Sequence, residues 1–209
     1  MTTPGETPGG GFAKRSPDLI LASASPRRAE LLATLGVCFR VAVADLDETP
    51  HPGESAAAYV ARLARAKARA VQRATATGLP VLGADTTVIG GGQLLGKPRS
   101  EAEAVAMLQA LSGRTHQVCT AIALVQGARE AAATVSTAVT FRALSVAECH
   151  AYWRSGEPAD KAGGYALQGL GGVFVTRVEG SCSAVIGLPV AETYTLLREF
   201  RIPTGLTQA

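Results

Sequence analysis

Strand-like and helix-like segments alternate along this chain, and at one point two strand-like segments follow each other directly. Apolar residues 19–22 precede a helically spaced run at 26–35; residues 39–43 read as a strand and 55–76 as a long helix. Residues 79–89 are strand-like and 100–111 helical, and then 118–125 and 133–141 give two consecutive strand signals. A helix over 145–153, a strand over 173–178 and a final helix over 188–200 close the pattern. Parallel strands need long crossovers, usually helical, whereas neighbouring strands without a helix pair through a hairpin. The chain is therefore expected to be α/β with a mixed sheet.

With 209 residues, 47% hydrophobic and 18% charged, the chain suits one globular domain, or one built as two lobes around a cleft. Residues 1–17, rich in Gly, Pro and Thr, read as a disordered tail, 18–201 as the domain and 202–209 as a second tail. Neither a signal peptide nor a run of about 20 apolar residues is evident, so a cytoplasmic protein without a membrane partner is expected. Cys38, Cys119, Cys149 and Cys182 form no CxxC pair, and His51, His116 and His150 lack zinc-ligand spacing. Any metal must rest on oxygen ligands, which points to Mg2+ or Mn2+. A net charge of +3 does not argue for nucleic acid but is compatible with a small anion.

Four segments carry chemistry. In Leu21-Ala22-Ser23-Ala24-Ser25-Pro26-Arg27-Arg28, a buried strand runs into a helix opened by Pro26 and capped by Ser25. Free N–H groups there, with Arg27 and Arg28, suit a phosphate; the plainer alternative is a capped helix with two surface arginines. On the long helix, Val60, Leu63, Lys67 and Val71 share one stripe, with Arg62, Arg65, Arg69 and Arg73 on an opposite, solvated face. Lys67 thus either faces a cleft or snorkels to water from the end of the stripe. Asp85 interrupts the strand Val81-Leu82-Gly83-Ala84-Asp85-Thr86-Thr87-Val88, where carboxylates are rare; metal ligand and general base both fit, against a bulge or strand end. Asp45-Leu46-Asp47-Glu48 offers further oxygen ligands, or only a solvated loop.

Gly91-Gly92-Gln93-Leu94-Leu95-Gly96-Lys97-Pro98 has P-loop spacing but carries Pro98 where a magnesium-binding hydroxyl belongs, and the next helix starts only at Ser100, in a capping box with Glu103. It is not a P-loop, although Lys97 can still reach a phosphate from the loop or simply lie on the surface. In the glycine-rich segment from Gly156 to Gly169, Tyr165 and Gln168 are placed to meet a base.

Together these segments resemble the Maf family of nucleotide pyrophosphatases, from about Leu19 to Phe200. The likeness rests on Ser23 to Leu32, Asp47-Glu48-Thr49, Leu63 to Ala68, Gly83-Ala84-Asp85-Thr86 and Gly96-Lys97-Pro98. Leu111-Ser112-Gly113, Thr115-His116, Asp160-Lys161-Ala162-Gly163, Tyr165 to Gly169 and Val185 to Pro189 complete it. The resemblance implies an elongated mixed sheet with helices on its flanks and two lobes around a nucleotide cleft, a divalent metal (Mg2+ or Mn2+) and a homodimer. It implies Asp85 as proton acceptor and Glu48 as holder of metal or water. Lys67, Lys97, Lys161, Ser23 and Arg28 would hold the triphosphate. Arg27, Thr86 and Gln168 resemble the branch acting on dTTP and UTP, modified pyrimidines included, in a house-cleaning role on the nucleotide pool. A nucleotide-binding regulator of septum formation is the alternative the resemblance leaves open.

Overall fold

The computed structural model describes residues 16–207; the tail expected over 1–17 lies, up to residue 15, outside them. In chain order the elements are β1 (Leu19–Ala22), α1 (Pro26–Ala33), β2 (Phe39–Val41), α2 (Ala56–Thr75), β3 (Val81–Gly90) and β4 (Gln93–Leu95). There follow α3 (Glu101–Leu111), β5 (Thr115–Gln126), β6 (Arg129–Phe141), α4 (Val146–Arg154), β7 (Val175–Glu179), α5 (Cys182–Ile186) and α6 (Val190–Glu199). Three short 3-10 helices, Glu157–Asp160, Ala162–Gly164 and Leu170–Phe174, fill the connection from α4 to β7.

The sheet is mixed, as the segment order requires. Its seven strands run β2-β1-β3-β5-β6-β7, with β4 attached to β3. β2, β1 and β3 are parallel, and β3, β5, β6 and β7 antiparallel. The register of β3 opens the cleft. β1 pairs with it only as far as Ala22 opposite Gly83, and β4 begins opposite Val88. Between those points Ala84 to Thr87 have β5 on one side and, among the described residues, no strand on the other. β3 and β5 are long enough to serve two hydrophobic clusters. Leu82, Ala84, Ile122 and Leu124 pack with Leu19, Leu32, Leu197 and Phe200, whereas Val88 and Val118 pack with Leu108, Leu111, Phe141 and Tyr152. The open stretch of β3 lies between them.

Alternation along β3 divides its neighbours. Leu82 and Ala84 face the cluster that includes Leu32 of α1, while Val81 packs with Ala68 and Val71 of α2. Ser55 caps α2 by accepting from the Ala58 amide, and Val60, Leu63 and Val71 are fully buried, each worth about 1.5–3 kcal/mol of apolar burial. Gly83 sets how closely α2 lies on the strand. A Cβ there would collide with the Ala64 carbonyl oxygen and come 2.9 Å from the Ala68 amide nitrogen.

Some local expectations shift. Gly91 and Gly92, at φ 59° and 78°, turn the chain from β3 into the short strand β4, so the rejected P-loop is a hairpin. Ser100 accepts from the Glu103 amide (3.2 Å), but the Glu103 carboxylate takes the Arg99 amide (2.9 Å), leaving that capping box half-formed; Ser145 and Glu148 make a complete one. Residues 202–207 continue the body, since Ile202 is buried in the first cluster and the Gly205 amide donates to Leu35 O at 2.8 Å.

Candidate active site

The cleft at the open stretch of β3 encloses about 540 Å³. Its lining includes Ser23, Arg27, Arg28, Glu48, Lys67, Asp85, Thr86, Lys97, Lys161 and Gln168, whereas of the acidic loop's candidate ligands Asp45 and Asp47 are not part of it. The lining residues come from the β1–α1 turn, the first turn of α1, the loop after β2, helix α2, strand β3, the loop after β4 and the 3-10 segment.

Asp85 is the most buried acid of the set, at 6% exposure. It lies on the α2 side of β3, where Lys67 Nζ donates to its Oδ1 at 2.6 Å. The same ammonium is 2.8 Å from Glu48 Oε1. Lys67 is therefore the cleft-facing lysine, held between a buried carboxylate and a half-exposed one. Burial raises the Asp85 pKa, and the charge and hydrogen bond of Lys67 only partly oppose this. Asp85 is neither a bulge nor a strand end, because it sits in continuous register opposite Ala121 of β5.

On the other side of β3, Arg28 is fixed by protein groups. Its Nε donates to Gly187 O (2.9 Å), Nη1 to Ser23 Oγ (3.2 Å) and Nη2 to Thr86 Oγ1 (3.2 Å). Burial lowers its pKa, with the negative charge of Asp85 acting the other way. Thr120, fully buried on β5, has one hydroxyl proton and two neighbours, Thr86 Oγ1 at 3.0 Å and Ala184 O at 2.7 Å. The carbonyl only accepts, so the proton belongs there, and Thr86 completes the pair with its own. Thr86 then has no proton to offer the cleft; its oxygen orients Arg28.

At the rim, Arg27 Nη1 lies 3.2 Å from Asp160 Oδ2, and Asp160 also pairs with Lys161. The positive charge near the N-terminus of α1 is thus compensated within the protein. Lys161 donates to Glu157 O at 3.0 Å. Lys97 is exposed at the mouth, and the bond from the Gly163 amide to Gly96 O (3.0 Å) joins its loop to the 3-10 segment. Gln168 is exposed on the lining.

Two expectations need correction. Tyr165 is not free to reach a base with its hydroxyl: it is 5% exposed, bonded to His116 Nε2 at 2.8 Å and packed edge-on against Phe141. Nor is the arginine face of α2 simply solvated. Arg62 pairs with Glu54 (2.7 Å), and Arg65 and Arg69 converge on Glu130 of β6 (2.8 Å each). Two cleft residues were missed. Tyr59 donates to Glu48 O at 2.9 Å and so ties the acidic loop to α2; its signal was the eight-residue spacing to Lys67 on one helix face. Asp160 was named only within the glycine-rich, family-like stretch and given no role, because its partner Arg27 is 133 residues away.

Glu48 and Asp85 each spend one of two carboxylate oxygens on Lys67. Among the described residues no three His, Cys, Asp or Glu side chains cluster as a self-sufficient metal site. Two carboxylates in a cleft lined by cations suit Mg2+ or Mn2+, which characteristically take one or two carboxylates and complete their shell with substrate oxygens and water.

Comparison with known proteins then decides the family: residues 18–200 match the Maf-like protein family. The chain belongs to the Maf family. A dTTP/UTP pyrophosphatase from Myxococcus xanthus (strain DK1622) is 58% identical to this Maf protein over 185 residues, covering 88% of this chain and 93% of that one. Its counterpart from Hahella chejuensis (strain KCTC 2396) is 54% identical over 186 residues, covering 88% and 92%. That from Escherichia coli O157:H7 is 55% identical over 182 residues, covering 87% and 92%.

Proposed function

We propose that this protein hydrolyses dTTP and UTP to the monophosphate and pyrophosphate. One observation carries the chemistry: a buried carboxylate of raised pKa, Asp85, beside Lys67 and Glu48 in a cleft that also gathers Arg27, Arg28, Lys97 and Lys161. The substrate comes from relatives named dTTP/UTP pyrophosphatase at 54–58% identity.

In this mechanism water attacks the α-phosphorus in line. Its oxygen forms the new P–O bond and its proton passes to Asp85; the bond to the β-phosphate bridging oxygen breaks, and the electron pair leaves with pyrophosphate. Lys67 and Glu48 orient Asp85, while Lys97, Lys161 and Arg27 hold the phosphates whose charge grows, Arg27 and Lys161 exchanging Asp160 for phosphate oxygens. Ser23, Arg28 and Thr86 form a fixed wall around the same group. Gln168 reads the uracil or thymine edge, because an amide both donates and accepts. A divalent cation, Mg2+ or Mn2+, would rest on Glu48 and Asp85 and supply charge neutralisation to the triphosphate.

A regulator that only binds nucleotide has no use for a buried base, so turnover is the favoured reading. The family resemblance further supports a cytoplasmic homodimer. No helix of the described residues is long and apolar enough to cross a membrane. The test is pyrophosphate release from a panel of nucleoside triphosphates with Mg2+ and then with chelator. Release from UTP and dTTP above the rest, lost on chelation, is expected; no release from any of them would end the reading.

A further inference from the structure

The segment from Glu157 to Phe174 delivers Asp160, Lys161 and Gln168 to the cleft, yet it contains no strand and no α-helix. Its three short 3-10 helices have poor internal hydrogen bonding and no side-chain cap of their own. Something outside their local geometry must hold Gln168 still.

Glu157 does this from the start of the segment. Its Oε1 accepts from Tyr152 Oη at 2.6 Å and from the Gly171 amide at 2.9 Å, and its Oε2 accepts from the Leu170 amide at 2.9 Å. The last two are the opening amides of the third 3-10 helix, so a carboxylate thirteen and fourteen residues upstream serves as its cap. Tyr152, 2% exposed on α4, uses the same hydroxyl oxygen to accept from the Ala166 amide at 3.1 Å. Ala166 before Gln168 and Leu170 after it are thus tied to one carboxylate, the first through Tyr152. The carbonyl of Glu157 receives Lys161 Nζ. Two glycines make room: a Cβ on Gly169 would collide with the Glu157 carboxylate, and one on Gly171 with the Tyr152 hydroxyl. Burial works to raise the Glu157 pKa, but the hydrogen bonds from Tyr152, Gly171 and Leu170 together outweigh it and hold the carboxyl below its ordinary value. The clamp is therefore charged at neutral pH.

We propose that Glu157 is the positioning residue for base selection: its carboxylate, through Tyr152 and the Leu170 and Gly171 amides, sets where Gln168 stands in the cleft. The inference rests on the reading of Gln168 as the nucleotide-base contact. Glu157→Gln tests it, since the amide keeps the shape but turns an N–H group toward donors. Amide exchange over residues 165–171, KM and kcat on UTP and ATP, and calorimetric affinity for both nucleotides are compared with the wild type. Faster exchange confined to that segment is expected, with KM for UTP raised about tenfold, the preference for UTP over ATP reduced by a similar factor, and kcat little changed. Tyr152→Phe, which removes one bond and keeps the ring against Phe174, should give a smaller effect in the same direction and guards against a misfolded first variant. Unchanged exchange, or faster exchange with the UTP preference intact, overturns the proposal. If the wild type releases no pyrophosphate at all, the functional reading fails by itself, and the exchange and affinity data still decide whether Glu157 positions the segment.

Discussion

Asp85, the proposed base, shows how surroundings raise the proton affinity of one side chain. Removal from water favours the neutral acid, and the nearby Glu48 charge adds to that, whereas Lys67 and Arg28 favour the carboxylate. A raised pKa strengthens the proton acceptor but also means that kcat/KM falls as pH drops through it, because only the deprotonated form accepts a proton. Gln168, the proposed base contact, has the opposite character: it is exposed and uncharged, with a paired donor and acceptor. Gln168→Glu removes the donor. The preference for UTP and dTTP over other triphosphates should then shrink by about tenfold, since a polar site left unmatched discriminates strongly. A substrate panel identical to the wild type would remove Gln168 from base recognition.

The approach of α2 to β3 turns a lysine into part of the site. Gly83 on the strand, with Ala64 and Ala68 on the helix, allows a separation that any side chain at 83 would forbid. Gly83→Ala should push α2 outward, cost about 1–3 kcal/mol in urea denaturation, and lower pyrophosphate release out of proportion by lengthening the bond from Lys67 to Asp85. Full activity in a stably folded variant would mean that the close packing does not serve the site. The alternation of apolar runs and capped helical stretches made α1, α2, α3, β3 and the β5–β6 hairpin legible in the sequence, and the stripe on α2 pointed to Lys67. β4 was not legible because Gln93–Leu95 sits between Gly92 and Gly96 in what reads as a loop, and the 3-10 segment because its order comes from Glu157 and not from a repeat. The cleft itself depends on where β1 stops and β4 starts along β3, a matter of register that local pattern does not encode. Asp160 and Arg27 meet only through the complete fold.

At the scale of the whole molecule, four hydrophobic clusters carry the stability, and the one around Phe141 and Tyr165 has a titratable group at its edge. His116 is 4% exposed, and burial pushes its pKa down to about 4 from 6.5. Between those values the unfolded chain binds a proton that the folded one does not, so stability is lost as pH falls from about 6.5 towards 4. The loss by pH 5 should be about 2 kcal/mol in urea denaturation; His116→Gln, which retains a partner for Tyr165 but does not titrate, should lose much less. Equal losses in the two proteins would assign the acid sensitivity elsewhere. The proposed function rests on one arrangement, a buried acid in a cleft lined by cations from distant segments. Its most direct test is Asp85→Asn, with UTP turnover followed by pyrophosphate release and UTP binding followed by calorimetry. Turnover should fall by about a thousandfold or more while affinity stays within about tenfold; turnover near the wild-type rate would contradict the assignment of Asp85 as the base.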